Sequence, residues 1–282
     1  DGDFTNFIAK DAAGNCFKKS SASSYKDFSY WANRAYTALA YGYEALGSTN
    51  PALSTKVKAA MDLCVSRIDE KLNAVYGTYT STLNGATPLW NLAGDNAVSA
   101  IAVGALAKHH SLFPSDTKVV KQISRLGEAI YASASGGWTE YPLGGIMHFY
   151  GSNTNVWDEW GSIQISALAS AGKICGKSEW IAAAELAADS FLTDLLISGR
   201  ANALTPNKKS YPQINYGAAS YVDNLLTLYN VTGKEKYAQW AGIAATWWTG
   251  NNGSSAGVPM FNQTYGLAFD GIVSPEQVSL NA

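Results

Sequence analysis

The chain has 282 residues, 47% of them hydrophobic, and a formal net charge of −2. That is enough apolar material for a full core, which argues against disorder, and the lack of any basic run argues against a protein that tracks phosphates along a nucleic acid. No apolar stretch reaches the roughly 18–20 residues of a membrane span, and only 15% of residues are charged where about 25% is usual.

A surface so poor in charge must be built from Ser, Thr, Asn, Gln, Gly and Tyr, and such a composition suits a secreted protein. The start at Asp1, with no Met and no signal peptide before it, reads as a processed or trimmed end.

Residues 1–29 read as an irregular N-terminal segment. Helix-period runs then begin near Tyr30, Pro51, Asp95, Asp116, Asp158, Ser178, Tyr216 and Lys234, and residues 250–282 read as an irregular C-terminal segment. The helices alternate in character. Segments 30–46, 95–108, 158–173 and 216–229 are almost uncharged, whereas 54–75, 116–134, 178–198 and 234–249 carry nearly all the helical charge. A helix apolar on every side must be buried, and one with a charged face lies outside. Inner and outer helices therefore alternate, and the inner ones recur with a period of about 60 residues, two helices plus their turns.

The turns from inner to outer helices are short, as in Gly47-Ser-Thr-Asn-Pro51 and Leu112-Phe-Pro-Ser115, and hold the residue types expected at helix stops and starts. The outer-to-inner connections are long, at 76–94, 135–157, 199–215 and from 250 onward. The long loops must then gather on one rim, where the inner helices begin.

Four helical hairpins with all long loops on one rim predict an all-α fold, a single α/α toroid over 1–282. The chain resembles the six-hairpin glycosidase-like superfamily in this architecture, and the stretch Val156-Trp-Asp-Glu-Trp-Gly-Ser-Ile-Gln164 is similar to that superfamily in style. A closed ring of six hairpins at this period needs about 360 residues. A fifth inner helix is due near residue 276, so the ring is expected to be open, a fragment, or completed by self-association or another chain.

The inner-helix N-termini give the long-loop rim a partial positive charge and free N–H groups. Carboxylates expected there are Asp95, Glu140, Asp158, Glu159 and Asp270, among Trp90, Trp138, Tyr141, His148, Tyr150, Trp157, Trp160, Tyr211 and Tyr216. Aromatic faces cover the C–H faces of a pyranose, and carboxylates bind its hydroxyls or do acid–base work. Trp138, Tyr141, His148, Tyr150, Trp157 and Trp160 are the expected binding residues for an oligo- or polysaccharide. Glycoside hydrolysis needs two carboxylates across the scissile bond, and adjacent Asp158 and Glu159 diverge too far to serve together. Glu140 is the expected acid, with Asp158 or Asp95 at a helix N-terminus as base. Each Asp also sits where an N-cap belongs. Asp223, mid-helix in an uncharged segment, is expected to be buried and either hydrogen-bonded or functional. Trp31, Trp180, Trp240, Trp247 and Trp248 lie at helical spacing and are expected in the core.

No cofactor is expected, and no metal site: there is no Cys-x-x-Cys, and His109-His110 has no further ligands nearby in sequence. Cys16 and Cys64 could pair, leaving Cys175. Sequons at Asn230, Asn252 and Asn262 are no more frequent than chance gives in so Asn- and Ser-rich a chain. The activity read first is a glycoside hydrolase, ahead of a non-catalytic structural or sugar-binding protein. A polysaccharide lyase, with Tyr141, His148 or Tyr150 as base and Arg34 on the uronate, comes third, because the rim is acidic rather than cationic.

Overall fold

Helix α3, Asn96–Leu112, shows why the alternation arises. In the computed structural model its buried residues run all the way round, from Asn96 through Val103 and on to Ala105, Leu106 and His109. A helix of that composition persists only enclosed by its neighbours, and Gly104 and Ser111 alone are exposed along it. The structure describes residues 2–5, 7–19, 21, 26–47, 49–82, 85–140, 142–146, 162–193, 213–252, 257–262, 264, 266–274 and 277–279. They fall into two compact units, Asp1–Ala129 and Ile130–Ala282.

In the first unit, α1 (Tyr30–Leu46) packs on both α3 and α2 (Pro51–Asn73). α2 opens with Pro51 at its first position and Asn50 as cap, whose side chain accepts from Leu53 N, as expected of a helix start. Helix α4 (Thr117–Tyr131) buries Val119, Ile123, Leu126 and Ala129 along one face. The charged faces of α2 and α4 meet at Asp69, which accepts from Lys121 Nζ at 2.8 Å and Gln122 Nε2 at 2.6 Å. Beside them Arg125 Nη1 donates to Asn73 Oδ1 at 2.7 Å.

α1 departs from the expected inner helix. Only Ala32, Asn33, Tyr36 and Ala40 are buried, and Trp31, expected in the core, is 47% exposed. Its ring lies outside, with the Arg34 guanidinium over it at 5.4 Å. Trp90 departs the other way. It is fully buried, donates from its indole N–H to Arg125 O at 3.1 Å, and so belongs to the core rather than to an aromatic rim.

The first 29 residues, read as irregular, carry short strands: β1 (Phe4–Thr5) pairs with β4 (Lys26–Asp27), and β2 (Phe7–Lys10) with β3 (Cys16–Lys19). Asp11 closes the β2–β3 turn by accepting from Ala13 N and Asn15 N, a local Asx turn that helical periodicity does not report. None of the three cysteines forms a disulfide. Cys16 is exposed on β3 and Cys64 is buried in α2, so the pairing that the sequence left open does not form. A further hairpin, β5 (Tyr79–Thr82) with β6 (Gly85–Pro88), occupies the long connection before α3.

In the second unit α5 (Gln164–Cys175) packs on α6 (Ser178–Leu186) and on α7 (Asn215–Thr232), and α7 packs on α8 (Glu235–Ala245). Gly172 permits the α5–α6 approach: a Cβ there would lie 2.8 Å from Ile181 Cγ1 and 2.9 Å from Lys177 O. Lys234–Glu185 and Lys236–Asp189 ion pairs join the outer segments. α6 continues into a π turn over Ala187–Leu192. The C-terminal segment, also read as irregular, holds β8 (Phe261–Asn262) paired with β9 (Leu267–Ala268), and β10 (Gly271–Ser274) lying between β7 (Gln213–Ile214) and β11 (Gln277–Ser279). β11 stands where a fifth inner helix was due. Among the described residues no helix is long and apolar enough to cross a membrane.

Candidate functional site

Polar side chains gather at the beginnings of the inner helices. In the first unit a three-residue turn, Leu92–Gly94, brings the chain round before α3, with Ala93 at φ 56 and Gly94 at φ 69. Asp95 then caps the helix: its Oδ1 accepts from Ala97 N at 2.6 Å and from Val98 N at 3.4 Å. Asn96 follows, fully buried. At the start of α1, Asn33 is buried and donates from Nδ2 to Ser29 O at 2.8 Å. Asn33 Oδ1 and Asn91 Nδ2 are both enclosed without a protein partner. Buried amide atoms are ordinarily hydrogen-bonded to protein or to ordered water.

In the second unit the pattern repeats. Gln164 opens α5 and Gln213 precedes α7, both buried. β7 is held against β10 at Gly271, where a Cβ would lie 2.5 Å from Gln213 O. That close pairing fixes the entry to α7. Trp247 donates to Gln213 Oε1 at 3.3 Å, and Trp248 to Asn215 Oδ1 at 2.8 Å. Asn215 N donates to the backbone oxygen of Asp270 at 2.7 Å, which places Asp270 at the start of α7. Trp180 and Trp247 are buried, as expected, and Trp240 and Trp248 partly so.

Asp223, like Trp31 and Trp90, lies where the sequence reading did not put it. It is solvent-accessible, on the same stripe of α7 as the exposed Tyr216, seven residues earlier and so nearly two full turns away. Protein nevertheless crowds it closely enough that desolvation pushes its carboxyl above the ordinary carboxylate value. An acid that water reaches but protein surrounds has the environment a general acid needs.

The loop after α4 is built as a fixed turn. Ala134 bridges Ile146, and Ser135 N donates to Gly145 O at 3.2 Å. Within it Leu143 N donates to Glu140 O at 2.7 Å. Gly136 (φ +74) leaves no room for a side chain, since a Cβ would come 2.4 Å from Glu140 O; at Gly144 (φ +76) it would strike Leu186. Ser190 Oγ, from the π turn, donates to Leu143 O and ties the loop to the helix behind it. Trp138 projects from this turn 65% exposed, with Glu140 exposed two residues on.

Glu140, Trp138 and Asp95 are thus positioned; Asp158, Tyr141, His148, Tyr150, Trp157 and Trp160 lie outside the described residues. α5 begins at Gln164 with Ile163 before it, six residues later than expected, so the cap position anticipated at Asp158 falls to Ile163. The sequence spacing that gave no metal ligands near His109 is overridden by folding, which brings Asp62 and Asp116 to it.

No protein-family model matches the chain, and no characterised protein matches it by sequence. Solved structures do. A crystal structure of an unsaturated glucuronyl hydrolase specific for heparin superposes with a TM-score of 0.57 at 12% identity, over 94% of this chain and 68% of that one. A sugar epimerase from a ruminal bacterium gives 0.56 at 12% identity, over 88% and 66%. A D-mannose isomerase gives 0.53 at 12% identity, over 86% and 62%. All three are six-hairpin α/α toroids. The chain has their fold. It spans about two thirds of their length, and at this identity the likeness is one of fold, carrying no site residues across.

Proposed function

We propose that the protein is a carbohydrate-active enzyme, a glycoside hydrolase in which Glu140 is the acid and Asp158 or Asp95 the second carboxylate. The observation that carries this reading is Trp138: a large aromatic, 65% exposed, on a turn with both ends pinned, two residues from an exposed glutamate. An exposed indole on a fixed turn serves as a sugar platform because little backbone entropy is lost on binding. Tyr141, His148, Tyr150, Trp157 and Trp160 extend the platform in this reading. Three solved structures similar to this chain, a glucuronyl hydrolase, a sugar epimerase and a D-mannose isomerase, act on sugars by name, which supports the substrate class. The low charge of the chain supports work outside the cell.

The test is turnover of a panel of neutral and unsaturated-uronyl oligosaccharides by wild type and Glu140→Gln. Loss of about 10²–10⁴-fold in kcat with binding retained fits an acid catalyst. Unchanged kcat removes Glu140 from the mechanism. A second reading, a sugar-binding protein without catalysis, is favoured by the commitment of Asp95 Oδ1 to its helix cap. Saturable quenching of tryptophan fluorescence by a sugar that is never cleaved would decide for it.

A further inference from the structure

The end of the first unit remote from Asp95 holds a second constellation. His109 lies fourteen residues after Asp95, about 20 Å along α3. It is fully buried, its Nδ1 sharing a 2.6 Å hydrogen bond with the Tyr36 hydroxyl. Its Nε2 is enclosed and has no hydrogen-bond partner. Asp62 from α2 and Asp116 from the turn before α4 approach it. One donor atom from each of the three lies within 4.8 Å of the others. The aromatic ring of Phe113, 5.3 Å from the His109 ring, walls the site on one side. Asp62 also lines an open cleft of about 470 Å³ between the end of α1 and the start of α2, with Tyr43, Thr55 and Lys58.

Each group is explained only in part by what it touches. Asp116 Oδ1 accepts from Lys118 N at 3.0 Å and caps α4, and Asp62 Oδ1 receives Lys58 Nζ at 2.5 Å. A carboxylate offers four lone-pair sites, so both retain capacity. The buried imidazole nitrogen of His109 without a hydrogen-bond partner is what ordinary packing does not account for.

We propose that His109 Nε2, Asp62 and Asp116 form a binding site for one divalent transition-metal ion of the zinc or cobalt class, joining α2, α3 and α4. One imidazole and two carboxylates suit a borderline ion, and three protein ligands leave a position for water on the cleft side. With the metal on Nε2 the ring proton stays on Nδ1 and donates to the Tyr36 oxygen, the outer-shell bond that orients a ligating imidazole. Donors on one ion at about 2.1 Å lie roughly 3–3.5 Å from each other, so the exposed Asp62 side chain swings inward and Lys58 gives way. Lys58 competes with the ion for Asp62. The site is independent of the sugar chemistry proposed for the long-loop end.

The experiment is titration of chelator-treated full chain with cobalt(II), followed by its visible absorption, and with zinc(II), followed by calorimetry. One equivalent should bind with a nitrogen–oxygen type spectrum and raise Tm. Asp116→Asn keeps a good helix cap and Asp62→Asn changes an exposed side chain, so both variants fold; each should weaken binding roughly tenfold or more. Lys58→Met should tighten it several-fold. The proposal is overturned by the absence of saturable binding, by a thiolate-to-cobalt charge-transfer band, or by wild-type affinity in both Asp variants.

Discussion

Asn224, on α7, caps the neighbouring inner helix α5. Its Oδ1 accepts from Ser166 N at 3.0 Å and its Nδ2 donates to Ser162 O at 2.8 Å. The residue in α5's own cap position is Ile163, whose side chain offers no acceptor, so one inner helix supplies the end group that the next one lacks.

Asn224→Leu should therefore destabilise the second unit sharply. It removes both of these bonds, at about 1–3 kcal/mol each. Asn224→Asp retains the acceptor but sets a buried carboxylate oxygen against the Ser162 carbonyl, 2.8 Å from the present Nδ2, and should lose at least as much. Urea unfolding of the two variants measures the difference.

Asp95 separates capping from catalysis. Asp95→Ala removes the acceptor for Ala97 N and should cost about 1 kcal/mol, whereas Asp95→Asn caps as well as Asp and should cost little. Full stability with lost turnover in Asp95→Asn would assign it the base role. Full stability with full turnover leaves it a cap.

Gly136→Ala should disorder the Trp138 turn. The substitution meets both a left-handed φ of +74 and a backbone oxygen 2.4 Å from the new Cβ, with strain of about 1–3 kcal/mol. Trp138 quenching by a sugar ligand should weaken while far-UV circular dichroism stays unchanged.

The His109 imidazole is held below its ordinary value of 6.5, first by burial and then by Lys58, while Asp62 and Asp116 pull the other way. The unfolded chain thus binds a proton that the folded chain refuses. Stability should be full above the ordinary value and fall as pH drops through it towards the folded value. Denaturation midpoints at about pH 7.5 and 5.5 measure the fall, and ring-proton shifts assign it to His109.

What the sequence by itself determined was the alternation. Charge collected on α2, α4, α6 and α8, and Ala, Gly and Leu on α3, α5 and α7, because burial is decided by the average polarity of a whole helix and needs no knowledge of partners. Tertiary structure alone decided the rest. Trp31 and Trp90 exchanged places between core and surface because the face a tryptophan turns depends on which helix arrives beside it. Asp223 proved accessible because α7 is not enclosed on every side. The gathering of Asp62, His109 and Asp116 joins three helices at residues up to 54 positions apart, a spacing to which no local pattern could point. The α5 cap was hidden for the same reason: its residue is supplied by a different helix.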